Sequence, residues 1–308
     1  MEPQYFKIKQ LGKKENIISL YDVTRLINHD LVPKKKVLVI GGSDFVPGAP
    51  LLTLRGAKRC GAKAVAIAAP KSIINKADIM YAGSLGIIEM PNFSKEGFSK
   101  IINLNPSWYD CIIVGPGMYF DKKTEEGYKY FLENYKFKSP LIIDANAIEI
   151  TAKNMELIRK IKAPVILTPN IEEFEELTGS KIEGKNPVYV SKMANKFCQK
   201  YGVTLLIKGP IDVITDNKRA MFNIAGQPVL AVSGSGDCLA GCIGGFLSLG
   251  NDPFSSVIAG TYVFSRAGDY SFEENGYALD PEIILDKVPR VMREILDFNT
   301  IGRFRRYK

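Results

Sequence analysis

Five times along this chain a short apolar run, rich in β-branched residues, gives way at once to small or polar ones. Val37-Leu-Val-Ile40 ends in Gly41-Gly42-Ser43, and Cys111-Ile-Ile-Val114 in Gly115-Pro116-Gly117-Met118. Leu141-Ile-Ile-Asp144 runs into Ala145-Asn146-Ala147, and Pro164-Val-Ile-Leu167 into Thr168-Pro169-Asn170. Leu205-Leu-Ile-Lys208 runs into Gly209-Pro210-Ile211-Asp212. Apolar runs this short read as strands buried on both faces. The first is followed by a helix-like stretch over 51–60, closed by Gly61, and then by another strand, Ala64-Val-Ala-Ile-Ala68. Strand, helix, strand is a βαβ unit and requires parallel pairing. The expected fold is therefore α/β, with a central, mostly parallel sheet flanked by helices. In such sheets ligands bind beyond the carboxyl ends of the strands. Here that edge carries Gly, Asn, Asp, Glu and a single Lys, a lining suited to an anionic ligand with a metal.

The chain has 308 residues, of which 46% are hydrophobic, enough for the core of one large domain. We read residues 1–308 as a single domain, with 1–33 a weakly patterned, polar N-terminal extension. No run approaches the roughly 18 apolar residues of a membrane span. The start, Met1-Glu2-Pro3-Gln4-Tyr5, lacks the pattern of a signal peptide. Cys60, Cys111, Cys198, Cys238 and Cys242 form no C-x-x-C pair, and the single histidine is His29. Buried thiols in a reducing cytoplasm are expected, not zinc ligands. The net charge of +8 is spread along the chain with no nucleic-acid motif between the basic residues, so no nucleic-acid partner is expected. The basic tail from Arg303 to Lys308 reads as a solvated end. A Lys- and Ile-rich, Gln-poor composition fits a thermophile.

Gly234-Ser235-Gly236-Asp237 opens an apolar segment rich in small residues. Gly-Ser-Gly crowds backbone N–H groups together, and a helix starting at Asp237 would add its positive end, giving an anion hole at 234–236. A carboxylate beside a bound anion needs another task. Asp237 either takes a proton from an attacking hydroxyl or caps the helix. Lys208 either reaches a nucleotide phosphate or is a solvated strand-end lysine. Asp144 and Glu173 suit a magnesium ion contacted through water, whereas Glu172, Glu175 and Glu176 read as surface residues. Val213-Ile214 and Ala220-Met-Phe222 form a hairpin across residues 215–218.

In their order these motifs resemble the ADP/ATP-dependent NAD(P)H-hydrate dehydratases of the ribokinase-like superfamily, over roughly residues 30–295. The resemblance rests on Gly41-Gly42-Ser43 with Pro47-Gly48-Ala49-Pro50, on Gly115-Pro116-Gly117-Met118 and on Asp144-Ala145-Asn146-Ala147. Thr168-Pro169-Asn170 with Glu173-Phe174, Lys208-Gly209-Pro210, Gly234-Ser235-Gly236-Asp237 and Ala267-Gly268-Asp269 complete it. It implies a ribokinase-like fold and repair of hydrated NADH or NADPH, with ADP preferred over ATP as co-substrate and Mg²⁺ as the metal. It implies a substrate site at Ala49, Gly117, Asn170 and Asp237, with Asp237 the catalytic base. It implies nucleotide contacts at Lys208, Gly209, Pro210, Ile211, Asp212 and Gly236. A cytoplasmic homo-oligomer is expected. The family often carries an epimerase domain at its N-terminus, and residues 1–33 are too short to be one. Three positions depart from the family pattern: Asn170 stands in place of His, Ser235 in place of Thr, and Ser265-Arg266 in place of His-Gly. Asn170 together with the shared Gly-Ser-Gly-Asp leaves an alternative, a small-molecule kinase of the hydroxyethylthiazole or hydroxymethylpyrimidine type.

Overall fold

The computed structural model describes residues 16–26, 36–80, 85–182 and 186–305. His29, the rest of the expected extension and the last three residues of the tail lie outside this set. The strands are β1 (Lys36–Ile40), β2 (Ala64–Ala69), β3 (Leu85–Glu89), β4 (Cys111–Val114), β5 (Leu141–Ile143), β6 (Val165–Leu167), β7 (Thr204–Ile207), β8 (Asp212–Thr215) and β9 (Ala220–Asn223). The helices are α1 (Leu20–Leu26), α2 (Ala49–Arg59), α3 (Lys71–Met80), α4 (Lys95–Ile102), α5 (Lys122–Glu133), α6 (Asn146–Ala152), α7 (Met155–Ile158), α8 (Ile171–Thr178), α9 (Pro187–Tyr201), α10 (Ser235–Ser248), α11 (Pro253–Asn275) and α12 (Pro281–Arg305).

The strands form one sheet in the order β3-β2-β1-β4-β5-β6-β7-β8-β9. β1 to β7 pair in parallel, and the β8–β9 hairpin closes one edge antiparallel. Each strand divides its side chains between two cores. Val37, Val39, Val65, Ile67, Cys111 and Ile113 pack with α2, α10, α11 and α12 on one face. Leu38, Ile40, Ala66, Ala68, Ile112 and Val114 pack with α4, α5, α8 and α9 on the other. Burial on both faces is why the strands are apolar throughout instead of alternating. The expected strands are found within a residue or so of their predicted ends. β3 was not anticipated, because its Leu-Gly-Ile-Ile-Glu sequence is interrupted by glycine and lies at the edge of the sheet.

The described part of the supposed polar extension belongs to the fold. Ile18 and Val23 are buried in the first core, and the backbone of Asn16 and Ile18 bonds to Phe222 on β9. Ser19 and Asp22 bond reciprocally to start α1, a capping signal that the polar composition around it concealed. All five cysteines are free and buried. Among the described residues no helix is long and apolar enough to cross a membrane.

Two close approaches position the site. The chain leaves β1 toward β2 and β3 and later returns to β4 on the other side, so the strand order reverses between β1 and β4. At that crevice Gly42 N donates to Pro116 O at 2.8 Å. α10 meanwhile lies against α2 through small residues: a Cβ added at Gly241 would stand 2.1 Å from Thr53 O. Any larger residue there would force apart the two helices that carry Asp237 and Ala49.

Candidate active site

The carboxyl ends of β1, β4, β5, β6 and β7 open on one edge, and the residues singled out in the sequence meet along it. Ala49 begins α2, and Gly117 lies in the turn after β4. A Cβ added at Gly117 would be 2.9 Å from that of Ala49, so these two form one wall. The same turn reaches β5. Gly115 has φ +119°, and a Cβ there would stand 1.8 Å from Asp144 O. Gly115→Ala is expected to lower stability by about 2 kcal/mol or more, from positive-φ strain and overlap together. Denaturant unfolding checks this; an unchanged midpoint would mean that the Asp144 turn yields freely. Ala145, with φ +50°, adds strain at the next residue, and Asn146 Nδ2 ties the turn back to Met118 O at 2.7 Å.

Asp144 is buried and its Oδ1 accepts two bonds, from Lys208 Nζ at 2.9 Å and from Thr168 Oγ1 at 2.7 Å. Of the two roles open to Lys208, the solvated strand end is therefore wrong: its ammonium turns inward. Thr168 was given no role of its own in the sequence, although it opens the Thr168-Pro169-Asn170 motif directly after β6. Asn170 pairs with Lys208 in an isolated parallel bridge. It also caps α8, its Oδ1 accepting from Glu173 N at 2.8 Å, while its own N–H donates to Glu173 Oε2 at 2.7 Å. Glu172 and Glu176 are exposed as expected. Glu175 instead folds over its helix end, accepting from Ile182 N at 2.7 Å and pairing with Lys181.

α10 begins at Ser235, two residues earlier than expected, with Gly234 as its N-cap at φ +88°. This changes the expected anion hole. Ser235 N is spent on Val232 O at 3.1 Å. The amides of Gly236 and Asp237 stand in the first turn, where a helix leaves its N–H groups without intrahelical acceptors. A Cβ on Gly236 would lie 3.4 Å from Lys208 Nζ, so this helix end faces the lysine.

Three carboxylates, on Asp144, Glu173 and Asp237, thus surround one ammonium. Burial pushes Asp237 up to about 7, the negative charge of Asp144 adds to the shift, and Lys208 opposes it. Burial likewise raises Glu173, against the pull of Lys208 and the Asn170 amide. For Lys208 burial acts downward, but Asp144 and Glu173 outweigh it and hold the ammonium above its ordinary value. Among the described residues no group of three or more His, Cys, Asp or Glu side chains could hold a metal directly. Asp144 Oδ1 is committed to Lys208 and Thr168, and Glu173 Oε2 to the Asn170 amide. Such a donor set would suit a cation held through water, not a closed protein cage.

The β7–β8 turn holds the expected nucleotide contacts. Gly209 and Pro210 are exposed and Ile211 is buried. Asp212 shapes the turn, accepting from Gly209 N at 3.1 Å and from Asn223 Nδ2 at 2.9 Å. Asn223 also donates to Ser265 Oγ at 3.0 Å, which fastens the hairpin to α11. Asp269 accepts from Gly226 N at 3.1 Å and from Arg266 at 3.0 Å. Ser265 and Arg266 are therefore built into the hairpin's support. Asn223 was missed, having no sequence signal beyond its place at a strand end.

The model of the NAD(P)H-hydrate dehydratase family matches residues 37–290. The ADP-dependent (S)-NAD(P)H-hydrate dehydratase of Cenarchaeum symbiosum is 29% identical over 84% of this chain and 88% of its own. The bifunctional NAD(P)H-hydrate repair enzyme of Pyrobaculum aerophilum is 29% identical over 84% of this chain, and this chain spans 50% of that relative's length. Among solved structures, the ADP/ATP-dependent NAD(P)H-hydrate dehydratase of Bacillus subtilis, co-crystallised with ATP and Mg²⁺, superposes with a TM-score of 0.77. That match is 23% identical and covers 92% of this chain and 100% of the other. The fold is ribokinase-like.

Proposed function

This chain belongs to the NAD(P)H-hydrate dehydratase family, and we propose that it returns hydrated NADH and NADPH to their reduced forms, using ADP in preference to ATP. The chief support is Asp237, a carboxylate raised to about 7 at a helix N-terminus that faces Lys208. A base poised near neutrality takes a proton most effectively at neutral pH. The preference for ADP is supported by the relative named ADP-dependent.

Hydroxide leaves poorly from C6 of the hydrated ring, so the hydroxyl is phosphorylated first. Its proton passes to Asp237 as its oxygen bonds to the terminal phosphorus of the nucleotide. The phosphoanhydride bond breaks and, from ADP, AMP departs. The ring-nitrogen lone pair then expels phosphate from C6, and loss of a proton from C5 completes the C5–C6 double bond. The amides of Gly236 and Asp237 receive the transferred phosphoryl group, and the Lys208 ammonium offsets its charge. Ala49, Gly117 and Asn170 hold the ring, and residues 208–212 hold the nucleotide. A divalent cation bound through water near Asp144 and Glu173 would neutralise nucleotide phosphate charge there.

Mixing the protein with hydrated NADH, Mg²⁺ and ADP is expected to regenerate reduced-nicotinamide absorbance and to release inorganic phosphate in equal amount, with ATP slower. No recovery with either nucleotide from folded protein overturns the proposal. Accumulation of a stable phosphomonoester would reassign the chain to the kinase alternative.

A further inference from the structure

The lip of the substrate wall carries two exposed aromatic side chains that the chemistry above does not use. Phe45 is 79% exposed and Tyr119 48% exposed. Their rings stack, with centroids 5.4 Å apart and planes inclined by 27°. Phe45 precedes Val46, whose carbonyl would lie 2.5 Å from a Cβ at Gly117. Tyr119 is two residues beyond Gly117. The pair therefore stands beside the Ala49–Gly117 wall, on the turns after β1 and β4. Leaving this much aromatic surface in water is unfavourable unless something covers it.

From this geometry we infer that Phe45 and Tyr119 form a stacking platform for the adenine ring of the dinucleotide substrate. The inference rests on the reading that the substrate is a nicotinamide dinucleotide, and it adds a site for that molecule's far end. A ring cannot slide between the two, since that needs two contact distances of roughly 3.5 Å, about 7 Å in all. It extends the stack on an outer face instead. The hydrated nicotinamide ring has lost its flat conjugation and is committed to the Asp237 side. Adenine is the flat π surface remaining on that ligand, and stacking recognises any such face. The adenine of ADP is placed elsewhere: its turn follows β7, three strand spacings from β4, or about 14 Å away.

Calorimetry on the full chain, with ADP and Mg²⁺ saturating the nucleotide site, tests this. The probes are NADH and reduced nicotinamide mononucleotide, which lacks the adenylate half. The Phe45→Ala/Tyr119→Ala double variant is expected to bind NADH about 5- to 100-fold more weakly, the range for losing a base–aromatic stack. Its affinity for the mononucleotide should be unchanged, and Phe45→Tyr and Tyr119→Phe should each retain NADH binding. Equal weakening for both probes, no weakening, or a wild type that binds both probes alike overturns the platform. So does a change in oligomeric state, measured by light scattering, with NADH binding intact, since the pair would then be a subunit contact. The dehydration assay stands apart: a wild type that prefers NADH through this pair but does not dehydrate the hydrate keeps the platform and loses the proposed reaction.

Discussion

Asp237→Asn is expected to lower turnover by about two to four orders of magnitude, the range for a positioned general base, with the fold retained. Gly234 is the N-cap of α10 and no side chain caps it, so Asp237, in the first turn, is not the cap that the sequence allowed. A residue there with only a structural role would lose little turnover on this change. Stability should separate the variant from wild type in a pH-dependent way. Burial and Asp144 hold the folded Asp237 at about 7, above the ordinary value of 3.8. The folded chain therefore keeps a proton that the unfolded chain has released, and stability is lost as pH rises from about 4 to about 7. The Asn variant escapes that loss. Its melting temperature should match wild type near pH 4, pull ahead through pH 4–7 and hold its lead above. The wild-type kcat/KM should fall on the acid side of about pH 7 as the base protonates. Near-wild-type turnover in folded Asp237→Asn, or an acid limb centred near pH 4, would remove Asp237 from the mechanism.

Lys208→Met is expected to cost about 3–5 kcal/mol of stability, because it strands a buried charge at Asp144. Asp144 is almost fully covered and its Oδ1 faces the ammonium at 2.9 Å. Adding Asp144→Asn should recover most of the loss, since the double variant no longer buries an unpaired carboxylate. It should not recover nucleotide affinity or turnover, which depend on the cation itself. Urea unfolding and nucleotide titration of the two single variants and the double variant would check this. A double variant no more stable than Lys208→Met would mean that the pair is not the reason Lys208 matters. A double variant with restored turnover would exclude Lys208 from the chemistry.

Much of this was legible in the chain before any fold was known. Strand and turn chemistry is local: β-branched runs, the glycines that end them and the Asn170 cap act within a few residues. Parallel pairing follows from the helix between strands, and the polar residues after each strand must then share an edge. The glycine before Asp237 and the small residues after it likewise marked a helix with its N-terminus at that edge.

What the chain could not disclose were relations between residues distant in sequence. Lys208 and Asp144 are 64 positions apart, and only the sheet order sets β5 and β7 on either side of β6 and turns that lysine inward. The raised affinity of Asp237 for its proton comes from burial and from the Asp144 charge, both products of packing. The donor that Ser235 spends on Val232 depends on where the helix begins, which local propensity sets only to within a residue or two. Phe45 and Tyr119 are far apart in sequence and drew no reading there; they became a pair because β1 and β4 are neighbours where the strand order reverses. Local chemistry thus determined which groups this edge would carry. Tertiary structure decided which of them touch, because charge, burial and stacking all depend on distances that sequence separation does not encode.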